Sequence, residues 1–556
     1  MMVRHAHLDE VVSEAGIVSA PDARAASAGA EVLRAGGNAV DAAVATALAI
    51  GVVEPHMSGL GGGTWMVVRL TDPERCVVVD GPVVAPSAAR PDMFPVLPDS
   101  GPTGLYGWPT VENDANIAGP LSVGVPGTVS ALHTAQTALG TLEFRDVAQP
   151  AIRLAADGIE VNWFTSALIV QEAARLAADP GCANLFLPGG LPLKPTGLQP
   201  GSVLRQPQLA DTLEQLADDG ASAFYRGRIG RSLVNLIRES GGILRQEDLH
   251  SYQARVHENP AVGHYQSATI LGPPRTGVPT VIETLHLLDL MGARGRDTSE
   301  AAAAVAWARS LLLAFRDRFR WMTADEKAAV PWTALASPDY AAEILDAHRA
   351  KKEPRDPREF EQSQVTGSLG PSGCTSHISV ADRQGNLVAL TQTVLDVFGA
   401  RMLDPATGIL LNDGMMWFDP RPGGTNQIGP GVPGLSAVSP ILLITKDGRK
   451  AALGAAGGRK VMSSTAQVAA RIVAGDTAQA AIEYPRIHAE TEAVLVEPRW
   501  PAAVIEALAR EGFQPQVVEE QPTTWNFGRP GCVIVEPTGL RRGGVDPIKP
   551  GGVAAQ

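Results

Sequence analysis

The chain has 556 residues, of which 45% are hydrophobic, so it is long enough to bury a large core. Its 58 glycines and 43 prolines, with only 19% charged residues, are typical of a compact enzyme with many turns. A formal net charge of −13 and the lack of a Lys- or Arg-rich run argue against nucleic acid as a partner.

The N-terminal residues lack the apolar core and cleavage site of a secretory signal. We therefore expect a cytoplasmic location, with the periplasm as the alternative. The longest apolar candidate for a membrane span, Ala39–Val53, contains Asp41 and is too short, so no membrane association is predicted. The four cysteines, at positions 76, 182, 374 and 532, show no metal or redox spacing. All except Cys374 are predicted to be buried reduced thiols. No metal ligand set and no cofactor is predicted.

The N-terminal region predicts two helices followed by two strands. The first helix opens after residues 20–22 and stops at 36–37, and Asn38 caps the second, which runs from Ala39 to about Val52. Because the second helix is apolar on nearly all sides, it is predicted to lie buried between layers. Strands are predicted at 64–70 and 76–79.

The middle third is predicted to be helical at 151–156, 208–216 and 299–322. Residues 351–373 are charged, Pro-broken and then Gly-rich, which is typical of a mobile surface linker. A similar stretch at 419–434 is predicted to be a lid.

From Thr375 onward the pattern indicates strands. Residues 377–381 and 387–394 predict a hairpin, with further strands at 441–445 and 451–453. Helices are predicted at 462–474 and 502–511. Helical segments on both sides of a mostly antiparallel strand set indicate sheets packed between helical layers.

A threonine at the head of a strand, preceded by a Gly-rich linker, has the arrangement that a self-processing nucleophile needs. The hydroxyl of Thr375 would attack the carbonyl of Cys374, and after cleavage the new α-amino group would be the general base. An α-amine titrates near about 7.7–8.0, so a useful fraction is neutral at physiological pH. On the residues alone, an ordinary capped strand end is the more common explanation of this pattern.

Several separate segments resemble the γ-glutamyltranspeptidase family, and they span roughly residues 13–520. The matching segments are residues 36–45, 58–63, 119–128, 241–242, 248–252, 313–318 and 375–377. The resemblance implies an α/β fold, a four-layer αββα sandwich of the N-terminal-nucleophile hydrolase type. It also implies self-cleavage into a large fragment, 1–374, and a small fragment, 375–556, which remain together as a heterodimer within one domain.

Position by position, the resemblance implies roles for five residues. Thr375 matches the nucleophile and Thr393 the threonine that orients it. Gly457 and Gly458 match the pair whose N–H groups form the oxyanion hole, and Ser436 matches a substrate-contacting serine. Two plainer interpretations stay open, a strand-to-helix turn for the glycines and an ordinary strand threonine for Thr393. His377 is predicted to be structural, because the amine replaces it as base.

The family's residues for a glutamyl head group are missing. Pro82 stands at the position of the carboxylate-binding Arg, and Trp417 at that of the acid that receives the α-amine. Gly414, Leu395 and Ala437 replace a Gln, an Asn and the second serine. A proline cannot replace a bidentate Arg–carboxylate pair.

This combination resembles the acylase branch of the family, including bacterial cephalosporin and glutaryl-aminocephalosporanic acid acylases. It implies an acylase that cleaves an acyl amide of a small molecule. One alternative is a glutathione hydrolase or γ-glutamyltransferase that uses another Arg, such as Arg401 or Arg90. Another is a small-amide amidohydrolase. The Gly-rich runs at 61–63 and 454–458 fit neither a dinucleotide nor a P-loop pattern, so a nucleotide-binding domain is disfavoured.

Overall fold

Two seven-stranded sheets form the centre of the molecule. The computed structural model describes residues 7–98, 101–104, 106–293, 298–325, 327–328, 330, 332–350, 375–521 and 523–556. The first sheet has the spatial order Val11–Ser13, Arg541–Val545, Arg529–Val535, Lys450–Ala456, Ile441–Ile444, Ala268–Gly272, Ala261–Tyr265. The second has the order Gly552–Ala555, Ile17–Ala20, Ser376–Ala381, Leu387–Thr393, Gly63–Thr71, Glu74–Gly81, Arg255–His257. All neighbouring strands within each sheet are antiparallel.

Successive side chains of a strand point to opposite faces of its sheet, and this explains how the two sheets stack face to face. In the strand Gly63–Thr71, Val67 points to the other sheet, whereas its neighbours Met66 and Val68 pack against helices. The core between the sheets consists of small and branched side chains: Ile17, Val67, Val78, Ala381, Leu387, Ala389, Leu442, Ala452 and Val533. Because both faces of each sheet are covered, the strands are apolar on both sides.

Helices cover the two outer faces. Against the second sheet lie Ala23–Arg34, Ala39–Val53 and Thr128–Leu139. The same hydrophobic core extends outward to Phe144–Asp157, Trp163–Leu176, Pro180–Phe186, Pro207–Asp219, Ala221–Tyr225, Arg228–Glu239 and Gln246–Ser251. Against the first lie Val278–Leu290, Glu300–Trp321, Lys460–Val473, Ala478–Glu483 and Ala502–Arg510, and Trp332–Leu335 and Pro338–Arg349 flank this layer. The predicted αββα sandwich is confirmed.

Short elements complete the structure. Two-stranded pairs are Pro102–Thr103 with Trp108–Pro109, Ile159–Glu160 with Val203–Leu204, and Leu403–Asp404 with Ile409–Leu410. A small sheet joins Ile487–Ala489, Ala493–Val496 and Gln514–Val517. The 3-10 turns are Glu112–Asp114, Pro120–Ser122, Pro188–Gly190 and Gly414–Trp417. No helix in the described ranges is long and apolar enough to span a bilayer.

Local signals in the sequence predicted most of these elements well. Asn38 caps the buried helix Ala39–Val53 through a reciprocal capping box with Asp41. The predicted helix at 151–156 was too short, since it begins at Phe144 and accommodates Pro150 inside. The predicted lid at 419–434 contains neither a helix nor a strand.

The cysteine prediction needs one correction. Cys182 and Cys532 are buried free thiols, but Cys76 is only half-buried because its strand, Glu74–Gly81, lies near the edge of its sheet. Cys374 and the linker 351–373 lie outside the described residues.

Each of the two sheets combines strands from before and from after position 375. The strand Ser376–Ala381 pairs with Ile17–Ala20 on one side and with Leu387–Thr393 on the other. Neither fragment, 1–374 or 375–556, can bury its apolar faces alone, since each contributes strands to both sheets.

We expect purified protein to contain two fragments, 1–374 and 375–556, that co-elute until denatured, because their strands share hydrogen bonds and a core. Gel electrophoresis under denaturing conditions and N-terminal sequencing check this, and the smaller fragment should begin Thr-Ser-His. A single uncut chain with full activity would contradict the prediction.

Candidate active site

The candidate nucleophile stands at the end of a central, fully buried strand. Thr375 directly precedes Ser376–Ala381 and is itself only 4% exposed. Ser376 lies opposite Gln392 in the antiparallel ladder, so the next step of the register places Thr393 opposite Thr375. The two matched threonines therefore lie on neighbouring strands at the same end of the sheet.

A strained turn follows Thr393. The hydroxyl oxygen of Thr393 accepts a hydrogen bond from the N–H of Leu395 at 2.8 Å. Leu395 has φ of 94°, a left-handed conformation that a bulky residue adopts only when its surroundings enforce it. Its side chain is buried beside Trp417 and Val83, and this packing holds the turn.

His377 is a buried, neutral bridge between the strands. Its ring nitrogens lie 2.8 Å from Thr391 Oγ1 and 2.9 Å from Ser379 Oγ. Burial lowers the pKa of His377 to about 3, so the ring does not take up a proton at neutral pH. The ring packs on Gly454 of the facing sheet, where an added Cβ would lie 2.5 Å from ring atoms. These contacts support the predicted structural role.

Gly457 and Gly458 connect the strand Lys450–Ala456 to the helix Lys460–Val473. Their φ angles, 129° and 58°, favour glycine at both positions. Neither N–H has a hydrogen-bond acceptor within the described part of the chain. Two available N–H donors at a helix start, where the dipole is positive, suit a developing oxyanion.

Ser436 is buried and held by hydrogen bonds on both its hydroxyl and its carbonyl. It is 1% exposed, and its hydroxyl oxygen accepts from the N–H of Val438 at 3.3 Å. Its carbonyl accepts from Arg318 Nη2 at 2.9 Å, and Arg318 also donates to the carbonyl of Thr276. The motif at 313–318 thus anchors the Ser436 segment to the helix Glu300–Trp321.

Two positions that match glutamyl-binding residues of the family, Leu395 and Trp417, lie in one buried hydrophobic cluster, and together with Pro82 we call them the apolar wall. Trp417 is 1% exposed and donates its indole N–H to Tyr106 Oη at 2.6 Å. Trp65 packs edge-on against Trp417, with ring centroids 5.8 Å apart. Pro82 is buried and its carbonyl accepts from Tyr252 Oη. The wall presents neither a cation nor an anion.

The two arginines considered as replacements are engaged elsewhere. Arg401 is buried and binds Asp396 at 2.7 Å and Glu172 at 3.3 Å. Arg90 is exposed, 3.5 Å from Asp92.

Sequence reasoning missed Tyr106, Arg459 and Glu490, which lie next to the matched residues. Arg459 follows Gly458, binds Glu490 through two nitrogens at 2.8–2.9 Å, and donates to the Tyr106 carbonyl. Burial opposes ionisation of Glu490, but Arg459 and His488 hold its pKa below its usual range. The position of Arg459 beside the glycine pair was the one available signal.

A buried charge pair supports the start of the nucleophile strand. Ser376 Oγ lies 3.4 Å from Glu54 Oε2 and 3.0 Å from Ser58 Oγ. Lys549 Nζ lies 3.6 Å from the same Glu54 oxygen, and both side chains are at most 2% exposed. Burial raises the pKa of Glu54 to about 7, although Lys549 opposes this shift. The pair links the C-terminal segment, the buried helix and the residue after Thr375.

We expect Lys549→Met to lower the melting temperature more at pH 8 than at pH 5. Without Lys549, the pKa of Glu54 rises further, so folded Glu54 binds a proton that the unfolded chain has released above pH about 4.5. The free energy of unfolding of the variant therefore falls as pH rises, by roughly 2 kcal/mol. The double variant Glu54→Gln with Lys549→Met is the control and should lose this pH dependence. An equal drop in melting temperature at pH 5 and pH 8 would show that only packing of the Lys549 methylene groups matters.

Comparison with known proteins identifies the family. The family model described as Gamma-glutamyltranspeptidase matches residues 25–556. The Acylase ACY 1 proenzyme of Pseudomonas sp. (strain V22) is 36% identical over 511 residues, covering 90% of this chain and 87% of the relative. Glutathione hydrolase 2 of Arabidopsis thaliana is 34% identical over 488 residues, covering 83% of this chain and 78% of the relative.

A solved structure agrees with these relatives. The cephalosporin acylase from Bacillus halodurans superposes with a TM-score of 0.83 at 25% identity, covering 100% of this chain and 98% of that one. No cluster of three or more potential metal ligands occurs in the described ranges. With this fold and these relatives, the chain belongs to the γ-glutamyltranspeptidase family and is an amide hydrolase of the N-terminal-nucleophile type.

Proposed function

We propose that this enzyme is a self-processing acylase that cleaves an acyl amide, of the glutaryl or cephalosporin side-chain type, through an acyl-enzyme on Thr375. One observation carries the proposal: the head-group positions Leu395 and Trp417 lie in a buried hydrophobic cluster, and Pro82 beside it is also uncharged. Relatives named acylase and glutathione hydrolase have similar identity to this chain, so the wall, rather than overall similarity, favours the acylase.

Self-cleavage between Cys374 and Thr375 exposes the α-amine that serves as base. The amine takes the hydroxyl proton as Oγ1 of Thr375 attacks the substrate carbonyl. The N–H groups of Gly457 and Gly458 then stabilise the oxyanion. The protonated amine gives its proton to the leaving nitrogen, the C–N bond breaks, and water later hydrolyses the ester by the reverse proton path.

The wall argues against a zwitterionic acyl group. A γ-glutamyl group would bring an ammonium and a carboxylate against Leu395, Trp417 and Pro82, which offer no charged partner. A glutaryl group would bring the carboxylate alone, and a neutral acyl group no charge at all. Burying unpaired charges costs several kcal/mol, and each step of about 1.4 kcal/mol is tenfold in affinity.

The second candidate, a γ-glutamyl hydrolase or transferase, is favoured only by the glutathione hydrolase relatives. It needs a cation near the wall. Arg401 is bound by carboxylates and Arg90 is exposed and paired, so neither suits this role.

We expect Thr375→Ala to give an uncut, inactive precursor, since cleavage and turnover use one hydroxyl. Thr375→Ser should process slowly, because only the γ-methyl is lost. Cys374→Ala is the matched control and should process and turn over normally, as the scissile carbonyl remains. Gel analysis and amide hydrolysis measure both steps. Loss of hydrolysis in cleaved Cys374→Ala would contradict the assignment of Thr375.

We expect glutaryl-p-nitroanilide to be cleaved at least as efficiently as γ-glutamyl-p-nitroanilide, because the glutaryl group lacks the ammonium that the wall cannot pair. The measurement is kcat/KM on the matured enzyme, which compares transition-state binding. Arg90→Ala is the control and should leave the ratio of the two values unchanged. A γ-glutamyl preference of about a hundredfold, or about 2.7 kcal/mol, would favour the transpeptidase instead.

A further inference from the structure

A cavity with aromatic walls lies beside the matched catalytic residues. Tyr106, Trp108 and Phe319 line it together with Arg459 and Asn426. The guanidinium of Arg459 stacks on the rings of Tyr106 and Phe319, at 5.5 and 5.3 Å from their centroids. The lining thus offers flat surfaces, which suit a planar group.

The cavity adjoins three parts of the candidate active site. Arg459 is covalently next to Gly458, the second of the two glycines with available N–H groups. Asn426 donates its amide N–H to the carbonyl of Trp417 at 2.7 Å. The hydroxyl of Tyr106 accepts from the Trp417 indole. These links place the cavity next to the glycine pair and the apolar wall.

Two buried polar atoms of the lining lack partners. Among the described residues, neither the indole N–H of Trp108 nor Oδ1 of Asn426 has a hydrogen-bond partner. Unpaired buried polar atoms are costly, at about 1–3 kcal/mol each, so a native protein rarely keeps them without a reason. One atom is a donor and the other an acceptor, which defines the complementary groups of a ligand.

The charges of the lining cancel. Arg459 is paired with Glu490, and Arg421 binds Asp419 through two nitrogens at 2.7 and 2.9 Å. An ionic ligand would have to compete with these pairs, so the cavity favours an uncharged one.

We propose that this cavity binds an uncharged aromatic or heteroaromatic group of the amide substrate, which accepts a hydrogen bond from Trp108 Nε1 and donates one to Asn426 Oδ1. The inference rests on the proposed function in one respect, that the group is part of an amide substrate. This group belongs either to the acyl part or to the amine part, and both share the same chemistry.

Binding is tested without catalysis by titration calorimetry with benzamide, which has a ring, an acceptor and a donor. Trp108→Phe keeps the ring but removes the N–H, and should weaken benzamide binding about five- to tenfold. N,N-Dimethylbenzamide lacks the donor and should bind wild type more weakly. Trp163→Phe, at an exposed tryptophan that begins the helix Trp163–Leu176, is the matched control and should bind as wild type does. Equal benzamide affinity in wild type and Trp108→Phe, or tighter binding of benzoate, would overturn the proposal.

Kinetics then identify the source of the group. Phenylacetyl methylamide is aromatic on the acyl side only, and glutaryl anilide on the amine side only. Trp108→Phe should lower kcat/KM about fivefold or more for one of the two, with the other unchanged. A wild-type enzyme that hydrolyses no amide would contradict the proposed function. The titration would still show whether the cavity binds an uncharged aromatic group. If benzamide binds but does not compete with the hydrolysed substrate, the proposal that the cavity holds part of the substrate is overturned.

Discussion

The antiparallel pairing of Ser376–Ala381 with Leu387–Thr393 is the constraint on which the rest of the site depends. Both strands are buried on both faces, so a shift of their register by one residue would turn every side chain to the wrong layer. This register aligns Thr375 with Thr393. His377 then locks the strand against the facing sheet through Gly454. The nucleophile position is thus fixed by the whole sandwich rather than by local contacts.

What could be predicted from the sequence was local. The hairpin after Thr375 and the capped helix Ala39–Val53 follow from periodicity, caps and turn residues, and both were confirmed. The resemblance predicted the glycine pair, and the structure adds that its N–H groups have no acceptor in the described ranges. The contact of Tyr106 with Trp417 joins residues 311 positions apart, and no periodic pattern carries such a pair. The aromatic cavity therefore emerged only from the three-dimensional structure.

The apolar wall is a coordinated replacement rather than a single substitution. An indole at position 417 needs a partner for its N–H, which Tyr106 supplies. It also needs space, and Gly434 provides it, because a Cβ there would lie 2.4 Å from the Trp417 ring. Leu395 keeps a left-handed turn that would suit a smaller or polar residue better, and buried contacts offset that strain. Returning only Trp417 to an acid would leave a carboxylate facing apolar side chains, so recognition of a zwitterion requires several changes at once.

The same packing explains how the proposed cleavage can create the catalytic base without rearrangement. Cutting the chain before Thr375 removes one peptide bond, but the ladder to Leu387–Thr393 and the hydrogen bond that Ser58 donates to Ser376 remain. Glu54 and Lys549 come from opposite sides of the cut, so their buried attraction also opposes separation of the fragments. The new amine therefore forms where the hydroxyl already stands, and little conformational entropy has to be lost before the first turnover.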